Sequence, residues 1–315
     1  MSKHLSIAVI GEINLDVISR LETVSLRELT ENLLVHAPVQ TRLGGVGGSF
    51  ALAAVQRFTD VNLLSAVGCD IVGDVITDLL KGTSIRTVVR RDPTIPSRTV
   101  MILHDRADGV TSGTRLIVTS AKSPSDNLDP SDLELFHSNL STCQALFVPG
   151  YQLLCEPTRS TCLSAMQFCR QRGCEVAVDL VPHDLYDRLS LSELQQLTND
   201  STIIISEVQT LNGFTTGHQS GILNLKDALA SSSNIRHLLP NRWLLLKFGI
   251  GNMDQFLVVS PAGKACSGYT GFRDLSDTTG FGDRVTAKEL YLILTSGIEG
   301  WAEPKIDLNR EHNIP

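Results

Sequence analysis

Asp277-Thr278-Thr279-Gly280-Phe281-Gly282-Asp283 runs straight into Val285, Ala287, Leu290 and Tyr291, which recur at the spacing of one helix face. A glycine-bearing turn therefore opens into a helix. Such a turn lets backbone N–H groups converge on an anion, helped by the helix dipole. Asp283 closes the turn beside that anion hole. A carboxylate there suits a general base that takes a hydroxyl proton while the turn's N–H groups stabilise phosphoryl charge. An acidic residue in a first helical turn is also an ordinary cap, and spacing alone leaves both roles open.

Outward from this turn, the chain alternates strand-like and helix-like segments, the pattern of a mostly parallel sheet covered by helices on both faces. Apolar, β-branched runs predict strands at 5–10, 61–67, 100–104, 145–148, 175–180, 202–205 and 243–248. Phe256–Val259 and the stretch around Ala265 read as a late hairpin turning at Pro261-Ala262-Gly263. Helical periodicity covers 49–58, 72–80, 132–140, 158–172, 192–197 and the segment from Gly280 onward. Residues 12–43 and 86–120 break this rhythm, being polar, strand-like and rich in Thr, Arg and Val. Together they predict a small β extension, a lid belonging to one domain that spans 1–315. Its arginines, Arg86, Arg90, Arg91, Arg98 and Arg115, read as a solvated face before they read as a phosphate clamp.

The 315 residues are 42% hydrophobic and 19% charged, with 24 Gly and 12 Pro, which is a globular composition. A net charge of -7 argues against a general nucleic-acid binder. The short apolar run Ile7–Ile10 is no signal-peptide core, and no stretch is long enough for a membrane span, so a cytoplasmic protein is expected. The seven cysteines are an odd number with no CxxC pair. Cys155, Cys162 and Cys169, seven apart, read as small core residues on one helix face.

Two further glycine turns matter. Gly44-Gly45-Val46-Gly47-Gly48-Ser49 opens a helix and allows close backbone approach to a ligand, or is a flexible turn. It follows no apolar strand, and Phe50 stands where a dinucleotide fingerprint needs its third glycine. An NAD site is thereby disfavoured. Gly249-Ile250-Gly251 follows a strong strand and is either a nucleotide-binding turn or the start of a hairpin. No GxxxxGK[ST] element occurs, so this is not a P-loop enzyme.

With these motifs in register, the chain resembles the ribokinase-like (pfkB) family of carbohydrate and nucleoside kinases. Gly11-Glu12-Ile13-Asn14-Leu15-Asp16 is similar to the family's opening strand turn, and Gly44-Gly45 with its helix to the first signature. Ala66-Val67-Gly68-Cys69-Asp70-Ile71-Val72-Gly73-Asp74 resembles V-G-x-D-x-x-G, Asp179-Leu180-Val181-Pro182 the D-x-x-P strand end, and Asp277–Asp283 the second signature, D-T-x-G-A-G-D. The resemblance implies a doubly wound sheet with a β lid, with ATP and Mg²⁺ as cofactors. Asp283 would be the base, and the 280–282 backbone the anion hole. Asn14, Asp16, Gly44, Gly45 and Ser49 would hold the acceptor, a sugar, sugar phosphate or nucleoside. Lys247, Gly249, Gly251 and Thr278 would border the nucleotide, and Glu207 and Gln209 would face the metal. The lid's exposed edge would be open to pairing with a second copy.

The chain also departs from the family pattern. Ser49 stands in place of a substrate-binding Asn, Phe281 of a small residue, Arg284 of a small residue after the base, and Lys247 of a Thr. Ser206-Glu207-Val208-Gln209 replaces N-x-x-E, and an amide is a poorer Mg²⁺ partner than a carboxylate. The sequence ends soon after Asp283, where an incomplete nucleotide pocket would weaken binding. Phosphoryl transfer from ATP is the first expectation. A non-catalytic relative that binds a small molecule or a partner protein is the alternative.

Overall fold

The computed structural model describes residues 4–21, 24–28, 31–105, 115–181, 184–217, 224–250, 253–272, 280–301 and 306–307. The first half contains β1 (Ser6–Ile10), β2 (Asn14–Leu21), β3 (Val39–Gly44), α1 (Val46–Ala54), β4 (Asp60–Gly68), α2 (Ile71–Lys81), β5 (Arg86–Asp92), β6 (Thr99–Asp105), β7 (Arg115–Thr119) and α3 (Pro130–Thr142). Next come β8 (Ala145–Pro149), α4 (Thr158–Gln171), β9 (Glu175–Leu180), α5 (Leu185–Arg188), α6 (Leu191–Leu197), β10 (Ile203–Glu207), α7 (Val208–Thr216) and α8 (Leu225–Leu238). The chain closes with β11 (Trp243–Ile250), β12 (Met253–Val259), β13 (Lys264–Phe272), α9 (Phe281–Ser296) and β14 (Ile306–Asp307).

Ten strands form the main sheet in the order β14-β13-β12-β11-β10-β9-β8-β1-β4-β5. From β5 to β11 every neighbour is parallel, and the β12, β13 and β14 edge is antiparallel. The central strands are apolar on both faces because helices cover both. In β1, Ala8 and Ile10 join the core shared with Phe136 of α3 and Met166 of α4, while Ile7 and Val9 join that of Phe50, Ile76 and Leu290. Phe50 of α1 stacks on Phe147 of β8, with centroids 3.6 Å apart and planes within 4°. That contact fixes α1 against the middle of the sheet.

A second sheet, in the order β3-β2-β6-β7, rises directly from the end of β1. It is the expected small extension with one correction. Arg86–Asp92 is not part of it, since β5 pairs in parallel with β4 at the edge of the main sheet. The reason is the intervening helix α2, which makes β4-α2-β5 a crossover unit. The arginines on this edge are ion-paired: Arg90 to Asp92 and Asp132, and Arg91 to Asp74. α1 also begins earlier than its periodicity predicts, at Val46, because Gly45 caps it and Gly48 N donates to Glu12 O. Cys162 and Cys169 are buried in α4 as expected, but Cys155 precedes the helix and is exposed.

β1 is the switch point of the sheet: the chain leaves it for β4 on one side and returns as β8 on the other. Crevices at such points, outside the carboxyl ends of parallel strands, are where open α/β sheets bind ligands. The small sheet starts directly after β1, which ends at Ile10, with β2 beginning at Asn14. Among the described residues, no helix is long and apolar enough to cross a membrane.

Candidate active site

Several elements converge on this crevice. β2 supplies Asn14 and Asp16, whose side chains are joined by Asn14 Nδ2 donating to Asp16 Oδ1 at 2.6 Å. Both are buried, and Arg42 of β3 lies 3.9 Å from the Asp16 carboxylate. β3 returns beside them, with Asn14 opposite Gly44 and Asp16 opposite Arg42. A Cβ on Gly44 would run into the Asp16 carboxylate, so glycine here is what lets the two strands and the acid coexist. Gly45 then caps α1, whose fourth residue is Ser49.

The second glycine turn meets the first at this point. Gly280 caps α9 at φ 70°, a left-handed conformation that favours glycine, and Phe281, Gly282 and Asp283 form the first turn. A Cβ on Gly280 would lie 3.7 Å from Ser49 Oγ and 3.9 Å from Asp283 Oδ2. Ser49 and the Asp283 carboxylate therefore both lie beside Gly280. Burial pushes the Asp283 carboxyl up to about 7, reinforced by Asp179 and Asp16 and opposed by Lys247 and Arg284. At that value it ionises near neutral pH, as a general base requires.

Phe281 finds its room outside this centre. Its ring borders a cavity of about 220 Å³ between α1 and α9, together with Ala53, Arg57, Arg284 and Lys288. The Arg284 guanidinium lies 5.7 Å from the ring centroid, so Arg284 stacks outward instead of pairing tightly with Asp283.

Lys247 reaches inward from β11. Its Nζ is 3.3 Å from Asp179 Oδ2 and 3.4 Å from Thr286 Oγ1, one helical turn beyond Asp283. Motif reading assigned no role to Asp179 or Thr286. Their signal was present: an ionisable residue ending the apolar run Val176-Ala177-Val178 is conspicuous. Asp179 is 1% exposed, burial raises its pKa against the pull of Lys247, and its Oδ1 has no hydrogen-bond partner.

The remaining expected residues are spread along the strand ends. Gly249 lies in β11 opposite Asp254 of β12, which makes this turn the start of a hairpin. Gly251 and Thr278 lie outside the described residues. Glu207 ends β10, and Gln209 Nε2 donates to Glu207 Oε2 at 2.5 Å. Among the described residues, no group of three or more His, Cys, Asp or Glu is arranged to hold a metal ion. Arg98, read as a solvated arginine, is instead largely buried and bridges Glu12 and Asp126 beneath the small sheet. Burial raises the Glu12 pKa despite Arg98.

Residues 4–249 match the family described as pfkB family carbohydrate kinase. The chain belongs to that family. Membership supports sugar or nucleoside kinase activity in general terms, and kinases of this family use ATP. The structure is similar to adenosine kinase from Sinorhizobium meliloti (17% identity, TM-score 0.73, 98% of this chain and 93% of that one). It is similar too to ribokinase from Giardia lamblia (16% identity, TM-score 0.68, 92% and 83%). Fructokinase with bound ATP from Xylella fastidiosa matches at 13% identity and TM-score 0.65, over 92% and 82%. At these identities the likeness establishes the shared ribokinase fold. No curated protein matches the chain at a significant level.

Proposed function

We propose that this pfkB-family chain transfers the γ-phosphoryl group of ATP to a hydroxyl of a sugar, sugar phosphate or nucleoside, with Asp283 as general base. The observation that carries this reading is the Asp283 carboxylate, raised to about 7 and set in the first turn of α9 against Ser49. The acceptor lies on Asn14, Asp16, Gly44, Gly45 and Ser49, which present hydrogen-bonding groups suited to a polyol. Its hydroxyl gives a proton to Asp283 as the oxygen forms a bond to the γ-phosphorus. The bond from that phosphorus to the β–γ bridging oxygen breaks, and ADP leaves with the electron pair. The N–H groups of Gly280, Phe281 and Gly282, at the N-terminus of α9, stabilise the charge on the phosphoryl oxygens. Lys247 and Gly249 mark the nucleotide side, with Gly251 and Thr278 assigned there from the sequence.

Glu207 and the carbonyl of Gln209 fit a Mg²⁺ that arrives on the nucleotide and keeps most of its waters, since the chain offers it one carboxylate and one amide. When bound, the ion would neutralise phosphate charge. On this reading the small sheet is a lid over the acceptor. Its outer strand β7, exposed along its length, is the edge open to a second copy.

The test is ATP turnover by the purified full chain against a panel of sugars, sugar phosphates and nucleosides, with calorimetric titration of a non-hydrolysable ATP analogue. Turnover abolished by Asp283→Asn supports the assignment. Absence of nucleotide binding at millimolar concentration overturns it and leaves a ligand-binding or partner-binding relative.

A further inference from the structure

We propose that Lys247 is the fixed cation that holds the transferred phosphoryl group, aimed at it by Asp179 and Thr286 beneath the first turn of α9. This rests on the kinase reading above and deepens it by naming the side chain that meets the phosphate.

The geometry begins with the strands. Lys247 pairs with Glu207 of β10 and with Phe256 of β12, in the middle of the sheet's nucleotide half. Its side chain does not run along the strand end. Nζ lies 3.3 Å from Asp179 Oδ2 and 3.4 Å from Thr286 Oγ1. Thr286 Oγ1 is itself 3.3 Å from the same carboxylate oxygen, so the three groups brace one another. Nζ also stands 4.0 Å from where a Cβ on Gly282 would lie, which places the ammonium against the glycine turn that opens α9.

Donor accounting then points to a ligand. An ammonium has three donors. Asp179 and Thr286 take two, and the third has no partner among the described residues. The side chain keeps 20% of its surface exposed, whereas Asp179 keeps 1% and holds a second oxygen with no partner. A buried ion pair is a weak source of stability, because desolvation offsets most of its attraction. The arrangement makes better sense as a device that holds an ammonium in place at a site where negative charge arrives. Phosphoryl transfer supplies that charge, spread over three oxygens. The metal-facing set, one carboxylate closed by an amide, adds little fixed positive charge of its own. Lysine suits the role as a compact point charge.

The test is calorimetric titration of the full chain with inorganic phosphate, without metal, for the wild type, Lys247→Met, Lys247→Arg and the double variant Asp179→Asn/Lys247→Met. The double variant removes both buried charges and so avoids stranding Asp179. Lys81→Met, on an exposed face of α2, controls for net charge. The expected result is phosphate affinity weakened about tenfold or more in the double variant and in Lys247→Met where it folds. Lys247→Arg should retain most of the affinity, and Lys81→Met all of it. A folded double variant that binds phosphate like the wild type overturns the proposal, as does a wild type that binds none. Lysine-dependent phosphate binding without turnover of any acceptor upholds the clamp while the kinase reading fails. Turnover in the double variant at the wild-type rate does the reverse.

Discussion

Asp283→Asn should make the protein more stable at alkaline pH while it removes activity. The carboxyl's midpoint rises from 3.8 to about 7 on folding, first because it is buried and then because Asp179 is near. The folded state therefore holds a proton that the unfolded state releases at lower pH, and stability falls as pH rises between those two values. At about 1.4 kcal/mol per decade the full difference is about 4 kcal/mol. Asp283 keeps some exposure, and screening brings the expected value to about 2 kcal/mol. Asn is close in shape to the neutral acid and does not titrate. The gap between variant and wild type should open from about pH 4, widen to about pH 7 and stay level above it. For a chain of this length, about 2 kcal/mol corresponds to about 3 °C in melting temperature at pH 8. Thermal unfolding of both proteins across this pH range measures the gap. Turnover should fall by about 10²- to 10⁴-fold. Wild-type kcat/KM should rise with pH and level off above about 7, as the base ionises. A variant no more stable than wild type at pH 8, or a gap that does not change with pH, would refute the assignment of a buried, proton-holding base at this position.

Further changes probe the surrounding parts. Gly44→Ala drives a methyl into the Asp16 carboxylate, so KM for the acceptor should rise while the fold loses about 1–3 kcal/mol, read by acceptor titration and urea unfolding. Gln209→Glu should tighten Mg²⁺ binding and raise turnover; a Mg²⁺ titration showing no change would mean that the Gln209–Glu207 contact serves another, working arrangement. Arg98→Met strands Glu12 between β1 and β2 and should cost about 3–5 kcal/mol. Adding Glu12→Gln should restore much of that loss, and denaturant midpoints of the single and double variants decide.

The alternation of elements was legible because each central strand is buried on both faces and reads as a mostly apolar run. Val61–Val67 and Glu175–Leu180 needed no tertiary information. β5 was harder. Arg86-Thr87-Val88-Val89-Arg90-Arg91 has the polarity of an exposed ribbon, and an edge strand of a parallel sheet has much the same polarity. Only the helix before it distinguishes the two. The start of α1 was displaced for a related reason: Gly47 and Gly48 argue against a helix by propensity, yet the close approach of Gly47 to Gly11 requires a residue without a side chain inside that helix.

The site separates along the same line. Asn14, Asp16, Gly44, Gly45 and Asp283 stand in short motifs, and the family resemblance singles them out residue by residue. Lys247, Asp179 and Thr286 belong to three elements separated by dozens of residues, and nothing local links them. Lys247 alone reads as a cation beside a nucleotide, and Asp179 alone as the end of a strand. The parallel register links them, because it sets Asp179 opposite Ile205 in β10 and Lys247 opposite Glu207, two residues further along that strand. A four-carbon stem leaning back across β10 then covers the offset and brings the ammonium to Asp179. Where a long cationic side chain can span the strand between itself and a buried carboxylate, that pairing follows from sheet register, which no short motif contains.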